Sequence, residues 1–525
     1  MMNQRSTYRR AEGAKYRDTR TPNFDSGIIS EPLLMFGGGH THVDPKTGLA
    51  LYGPYSLQGH ARGPLRSITV GIVGPPSMIA DAEAWLQACE GVLTNDGSQP
   101  FLYPHFPGFS ASQPFECGLQ HGDAWRAIIR DTEIQLAIAM PSFEDQVREI
   151  IRLYVKAIEV LASQDPKPAV IVCCMPQEVV DSCVVRRGRS AIKRKRRTSA
   201  FRRVKEQLEL FQQGETLGID AEESGHQNLR RGLKAEAMQF GIPTQLVWPR
   251  TLRLSGTQDT GLPKTQDIAT RAWNFTTALY HKAGGSPWRL AELEPGVCFV
   301  GVSFYREISG ENPGIRTSMA QAFTAAGDGY VLRGGTFEWD EQHGSSPHLT
   351  KELAASLLRD VIDLYKRQNR GSMPSRIVVH KSSRFWDEEL EGMEEATDLV
   401  PRKDFVALGF RGLQFYRTGD YPALRGTYIK FSETDLLLYT TGYIPYLRTY
   451  PGARVPQPLE VLEHFGDSPW DVVLREVLAL TKMNWNTADF ACSDPITIAF
   501  SRRVGQILAE LPQESKIQPE YKFYM

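Results

Sequence analysis

Apolar residues in this chain follow two periods that alternate along it. SITVGIVG (67–74) is an almost unbroken apolar run closed by Gly-Pro-Pro, which predicts a buried strand. MIADAEAWLQACEG behind it repeats apolar positions every three or four residues, which predicts an amphipathic helix. FEDQVREIIRLYVKAIEVLAS carries the same helical period, and PAVIVCCMP reads as a second buried strand. A helix at GLKAEAMQFG, a strand at PTQLVW and a helix at TQDIATRAWNFTTALYHKAGG complete the series. Strands alternating with helices predict a parallel, doubly wound, Rossmann-like α/β sheet. From Pro295 the order changes. VCFVGVSFYR, TSMAQAFTAAG and GYVLRGGTFEW predict three strands, HLTKELAASLLRDVIDLYKRQN a helix and PSRIVVHKSS another buried strand. A meander, a helix and a strand returning beside the first is the order of an RNase H-like fold.

The remaining stretches divide the chain. Residues 1 to about 28 are polar and basic and predict disorder, and MFGGGHTHVDPKTGLALYGPYS predicts turns and short extended pieces. The expected organisation is a partly disordered extension over 1–65, a first domain over 66–290 and a second over 291–525. An insertion at about 183–227 interrupts the first domain. Between Arg186 and Lys205 it holds eleven Lys or Arg and no acid, with Glu-rich sequence following. Two readings stand open: a solvated insertion, or a basic arm touching nucleic acid or a partner protein.

Composition adds bounds rather than a function. At 525 residues, 41% hydrophobic and 23% charged, the chain reads as a soluble protein of several domains. It has no apolar run of the roughly 18 residues a membrane helix needs, and its basic N-terminus lacks the apolar core of a secretory signal. Seven cysteines are scattered without a CxxC pair, which speaks against a disulfide framework or zinc ribbon and fits a reducing cytoplasm. A net charge of −1 means that any polyanion must be met by local patches.

Four residues suggest such a patch. Arg230 and Lys234 share one helix face, Gln245 opens the next strand and Lys282 closes a later helix. A phosphate is bound by charged donors converging with a neutral amide, although an i,i+4 basic pair alone is common on solvated helices. RGLKAEAMQFGIPTQLV resembles the 5′-phosphate pocket of Argonaute MID domains. FPGF (106–109) matches a segment ahead of that pocket, and HKAGGSPWRL, with Lys282 and Trp288, resembles the MID-to-PIWI junction. RTGDYPALRGTYI (417–429), LYTTGYIPYLRTYPGARVPQPLEV (438–461) and LTKMNWNTADFACSDPITIAFSRRVGQIL (480–508) resemble PIWI motifs in order. Over residues 30 to 525 the chain is similar to short prokaryotic Argonautes.

The resemblance implies a MID domain followed by a PIWI domain. It implies that Arg230, Lys234, Gln245 and Lys282 hold the 5′ phosphate of a guide. It also implies Mg²⁺ there, bound through Gln245 and the terminal carboxylate of Met525, as suits a hard, oxygen-liganded ion. Arg417, Arg425, Arg448, Arg454 and Arg502 would touch nucleic-acid backbone, with a surface ion pair as the alternative for each. The apolar tail YKFYM would fold back into the core.

PIWI cleavage needs a carboxylate tetrad to hold two metal ions. The first expected acid falls in Gly301-Val302-Ser303 and the second in His380-Lys381-Ser382-Ser383, so Ser303 and Ser382 stand where aspartates would. Met483 to Asn486 offers amides and no acid or imidazole; a loop Glu338 or Glu341 would not rebuild the centre. The expectation is a guided binding protein without its own chemistry. The resemblance implies a guide RNA that finds complementary single-stranded DNA. Pairing would activate an APAZ-containing partner fused to a TIR or sirtuin-like NADase, or a nuclease, in defence against plasmids and phage. The alternatives are a guide-directed endonuclease that cuts its target itself, and a guide-free protein using the basic arm. His40, His42 and Asp44 read as a structural turn or partner contact, with a metal pair as the alternative, and Cys173-Cys174 as core.

Overall fold

A computed structural model describes residues 25–58, 64–184, 228–254, 266–306, 316–324, 329–337, 348–511 and 517–525, apart from 96, 98, 411–412, 416–417, 433–434 and 453–454. The basic stretch 186–205 lies outside them. In the first sheet Gly118–Gln120, Ser67–Gly74, Val170–Cys174 and Thr244–Val247 are parallel neighbours in that order, and Arg126–Ile128 also pairs with Ser67–Gly74. The two-residue period of a strand divides its apolar run between two helix layers. Val170, Val172 and Cys174 share a core with Trp85 and Trp273, from the helices Pro76–Glu90 and Ile268–Lys282. Ile171 and Cys173 join Tyr154 and Leu233, from Phe143–Ala162 and Leu229–Ala237. This is the expected doubly wound arrangement.

The second sheet has nine strands: Asp25–Ile28, Thr427–Lys430, Leu436–Leu438, Leu459–Gly466, Arg402–Phe410, Arg376–Lys381, Val297–Arg306, Arg316–Thr324 and Gly329–Phe337. The last three form the antiparallel meander, and Arg376–Lys381 returns parallel to Val297–Arg306, as an RNase H-like order requires. Helices Lys351–Gln368 and Asp387–Ala396 bury apolar residues against one face, and Trp470–Leu480 and Ile496–Leu508 against the other. Gly301 matters through space, not conformation. A Cβ there would stand 2.1 Å from the Thr497 carbonyl oxygen, so only glycine lets the Ile496–Leu508 helix sit on the strand.

The N-terminal segment is more structured than its polar composition predicts. Asp25–Ile28 adds an edge strand to the large sheet, and Leu34–Met35 pairs with both Thr41–His42 and Arg289–Leu290. The tail folds back as expected, with Tyr524 and Met525 fully buried in a core shared by both sheets. Among the described residues no helix is long and apolar enough to cross a membrane.

Candidate nucleic-acid site

The helix Leu229–Ala237 starts at Asn228, whose Oδ1 accepts from the backbone of Arg230 (3.1 Å) and Arg231 (3.4 Å). Gly241, at φ +68°, closes the following turn in the left-handed conformation and sends the chain into Thr244–Val247. This local geometry brings Lys234 beside the strand. Its ammonium is buried and donates to the Thr244 carbonyl at 3.1 Å. Lys282, equally buried, ends the Ile268–Lys282 helix, where the helix dipole favours a cation, and donates to Gln245 Oε1. Burial pushes the Cys173 thiol up to about 12, while Lys234 and Lys282 both pull the other way, so both ammonium groups act on one point of the strand. Arg230 stands one turn before Lys234 on the same helix, half-buried. Like charges gathered at low dielectric repel, and an anion between them reverses the sign of the interaction.

Aromatic packing holds this pocket in place. Phe106 meets Trp273 edge-on at 5.2 Å and Phe109 meets Tyr280 at 6.1 Å, so the FPGF segment supports the helix that ends in Lys282. His281 lies 4.5 Å from the Trp485 ring and 5.6 Å from Tyr521, joining the helix to the segment after residue 480 and to the tail. Burial depresses the His281 imidazole to about 3, so it is neutral. Trp288 Nε1 donates to the Lys482 carbonyl (2.9 Å), and Gln518 Nε2 to that of Met238 (3.1 Å). Sequence reading missed this seam, although three aromatics beside one His were its visible signal.

The second centre lies at neighbouring strand ends. Val302 pairs with Lys381, and Ser303 and Ser382 each stand one residue further on. Ser303 Oγ donates to the Ser501 carbonyl (3.2 Å), and Ser382 is exposed. Within 483–486, Trp485 is buried against His281, and Asn484 Nδ2 donates to Cys492 Sγ at 3.3 Å. Glu338 and Glu341 lie outside the described residues. Among the described residues no group of three or more His, Cys, Asp or Glu is placed to hold a metal ion. His42 Nδ1 accepts from the Asp44 backbone (2.9 Å), His40 stacks on Tyr52 at 4.5 Å, and Asp44 caps the helix Pro45–Tyr52. HxH here is a structural turn.

The arginines separate. Arg425 is corrected: it is buried, bonds Glu31 through Nε (3.0 and 3.1 Å), and donates to Thr481 Oγ1 (2.8 Å) and to the carbonyls of Thr440 and Leu478. It therefore cannot reach a backbone phosphate. Lys482 joins the same carboxylate at 2.9 Å. Burial alone would raise Glu31, but Arg425 and Lys482 hold it below its usual range, and burial lowers Lys482 to about 8. The network fixes the N-terminal segment to the second sheet. Arg502 pairs with Asp494 at 2.8 Å and remains partly exposed. Arg448 is exposed, while Arg417 and Arg454 lie outside the described residues.

No family model matches the chain. It is similar to the protein argonaute of Aquifex aeolicus (strain VF5), 22% identical over 281 residues, which are 53% of this chain and 35% of that protein. Among solved structures it resembles Clostridium butyricum Argonaute bound to a guide DNA and a 19-mer target DNA, with a TM-score of 0.59 at 14% identity. That match covers 94% of this chain and 54% of the other. Drosophila Piwi matches with a TM-score of 0.55 at 12% identity, over 95% of this chain and 56% of its own. The chain thus spans little more than half the length of these structures. The doubly wound sheet and the RNase H-like sheet of this chain are consistent with MID and PIWI domains. The chain thus shares its fold with Argonaute and Piwi structures and a distant sequence likeness with one Argonaute.

Proposed function

We propose that this chain is a guide-binding sensor that lacks cleavage chemistry of its own. In this reading Lys234, Lys282 and Gln245, with Arg230 one turn away, hold the 5′ phosphate of a guide RNA, which pairs with complementary single-stranded DNA. One observation carries the reading: two buried ammonium groups from separate helices converge at the Gln245 strand. In this reading Mg²⁺ would be held by hard oxygen donors, Gln245 Oε1 and the Met525 carboxylate, together with the guide phosphate. When bound it would neutralise phosphate charge.

Ser303 and Ser382 support the absence of cleavage, because hydroxyls do not supply the charge that two metal ions need. The answer to pairing would then come from an APAZ-containing effector, a TIR or sirtuin-like NADase or a nuclease, in defence against plasmids and phage. Such switching requires the paired heteroduplex to bind the active assembly better than the resting one.

The test compares 5′-phosphorylated and 5′-hydroxyl guide RNA. The wild type should prefer the phosphate, and Lys234→Ala with Lys282→Ala should weaken phosphorylated guide by roughly 100-fold, from about 1.5–3 kcal/mol per charged hydrogen bond. Equal affinity for both guides would sink the pocket. Target cleavage within the duplex by the purified chain with Mg²⁺ or Mn²⁺ would instead establish the endonuclease reading.

A further inference from the structure

The helix Ile268–Lys282 runs along the seam between the two sheets and meets residues 481–491 at two heights. His281 packs on Trp485, and Asn274 Oδ1 accepts from the Ala488 backbone at 2.9 Å. Trp273 Nε1 donates to the His105 carbonyl at 3.2 Å, so the chain just before His105 lies along the N-terminal half of this helix, whose fifteen residues span about 22 Å from Lys282 to its far end. At that end Phe101 and Tyr103, two residues apart on one loop, are each 39% exposed. The exposed Arg448 guanidinium lies 4.8 Å from the Phe101 ring centre. Arg448 has φ +54°, inside a turn closed by pairing of Ile444 with Thr449.

The surface is rigidly backed. Phe101 meets Tyr446 edge-on at 6.1 Å, and the Tyr446 hydroxyl donates to Thr47 Oγ1 at 2.9 Å. Tyr446 in turn stacks 6.5 Å from Phe490, under the Lys482 ammonium at 4.0 Å. Singly exposed rings are ordinary on protein surfaces. A ring and a guanidinium plane held on a packed aromatic column, with a second exposed ring two residues away, are a different object.

We propose that Phe101, Tyr103 and Arg448 form a base-stacking platform for the single strand whose 5′ phosphate is held at Lys234 and Lys282. The inference rests on that reading of the pocket. Aromatic and guanidinium planes accept any base, which suits a strand of variable sequence. A separation of about 22 Å corresponds to roughly six nucleotides at ~3.4 Å each, which places the contact near the seventh base.

The test uses 5′-phosphorylated RNAs of two lengths, four and ten nucleotides, the longer carrying 2-aminopurine at its seventh position. Phe101→Leu with Tyr103→Leu keeps apolar bulk but removes the stacking faces, and should weaken the ten-mer about tenfold while leaving the four-mer unchanged. The 2-aminopurine fluorescence should be quenched on the wild type and recover on the variant, and Phe101→Trp should restore quenching. An unchanged ten-mer affinity, or an equal loss for the four-mer, overturns the platform. If the wild type ignores the 5′ phosphate yet the ten-mer still loses tenfold, the pocket reading fails and the platform stands. If phosphate matters and the platform variant binds like the wild type, the platform alone fails.

Discussion

The two halves of the molecule bury charge in opposite ways. At Lys234 and Lys282 like charges gather beside one strand. In the RNase H-like sheet, Arg376 bonds Asp404 through Nε (2.6 Å) and Glu476 through both terminal nitrogens (2.5 and 2.9 Å). His464 Nε2 and Ser468 complete the shell of Asp404 at 2.8, 2.7 and 3.0 Å. Burial alone would raise Asp404, but His464, Ser468 and Arg376 together hold it at about 2. Beside Ser382, Lys381 is turned inward onto Glu389 and His348. Opposite charges in mutual contact hold a fold together. In the proposed reading, two ammonium groups brought to one strand serve to hold a phosphate.

Breaking the balanced cluster should have the largest effect. Arg376→Ala leaves two buried carboxylates facing each other and should cost about 3–5 kcal/mol, read as a large drop in the urea midpoint. A loss below about 1 kcal/mol would mean that the network does not carry the second sheet.

An intermediate effect compares the halves directly, through one buried His in each. Burial depresses both His281 and His380 to about 3, against an unfolded value near 6.5. Between those values the unfolded chain binds more protons, so stability is complete above about 6.5 and falls as pH drops toward 3. At pH 5 each His should cost about 2 kcal/mol. Denaturation midpoints from pH 8 to 5 should fall only below about 6.5, and His281→Phe or His380→Gln should each remove close to half of that fall. A flat profile in the wild type would contradict the burial of both rings.

The smallest effects belong to the serines. Ser303→Ala gives up one hydroxyl bond to the Ser501 carbonyl and should cost about 0.5–1.5 kcal/mol. Ser382→Ala, on an exposed residue, should stay within about 0.5 kcal/mol. Neither should alter target binding; if either does, this centre contributes more than its hydroxyls suggest.

Much of the fold was legible because it is periodic. PAVIVCCMP is apolar at every position and SITVGIVG at all but Ser67 and Thr69, since helices cover both faces of their strands, whereas FEDQVREIIRLYVKAIEVLAS is apolar on one side because solvent covers the other. Charges within apolar runs, Arg376 in PSRIVVHK and Asp404 in KDFVALGF, were the available sign of a buried pair. Their partnership was not legible, because 28 residues separate them.

By itself the sequence determined the alternation of strands and helices and the glycine that turns the chain before Thr244. These follow from backbone geometry over a few residues. Only the tertiary structure decided that Lys282 would meet Gln245 across 37 positions. It also turned Arg425 inward to Glu31, across 394 positions, rather than outward. It made Asp25–Ile28 the edge of a sheet whose other strands begin at Val297. The reason is physical: a residue's period tells which face it occupies, but not which distant element packs against that face. That choice belongs to the packing of the whole core and to the cost of leaving any buried charge without a counterpart.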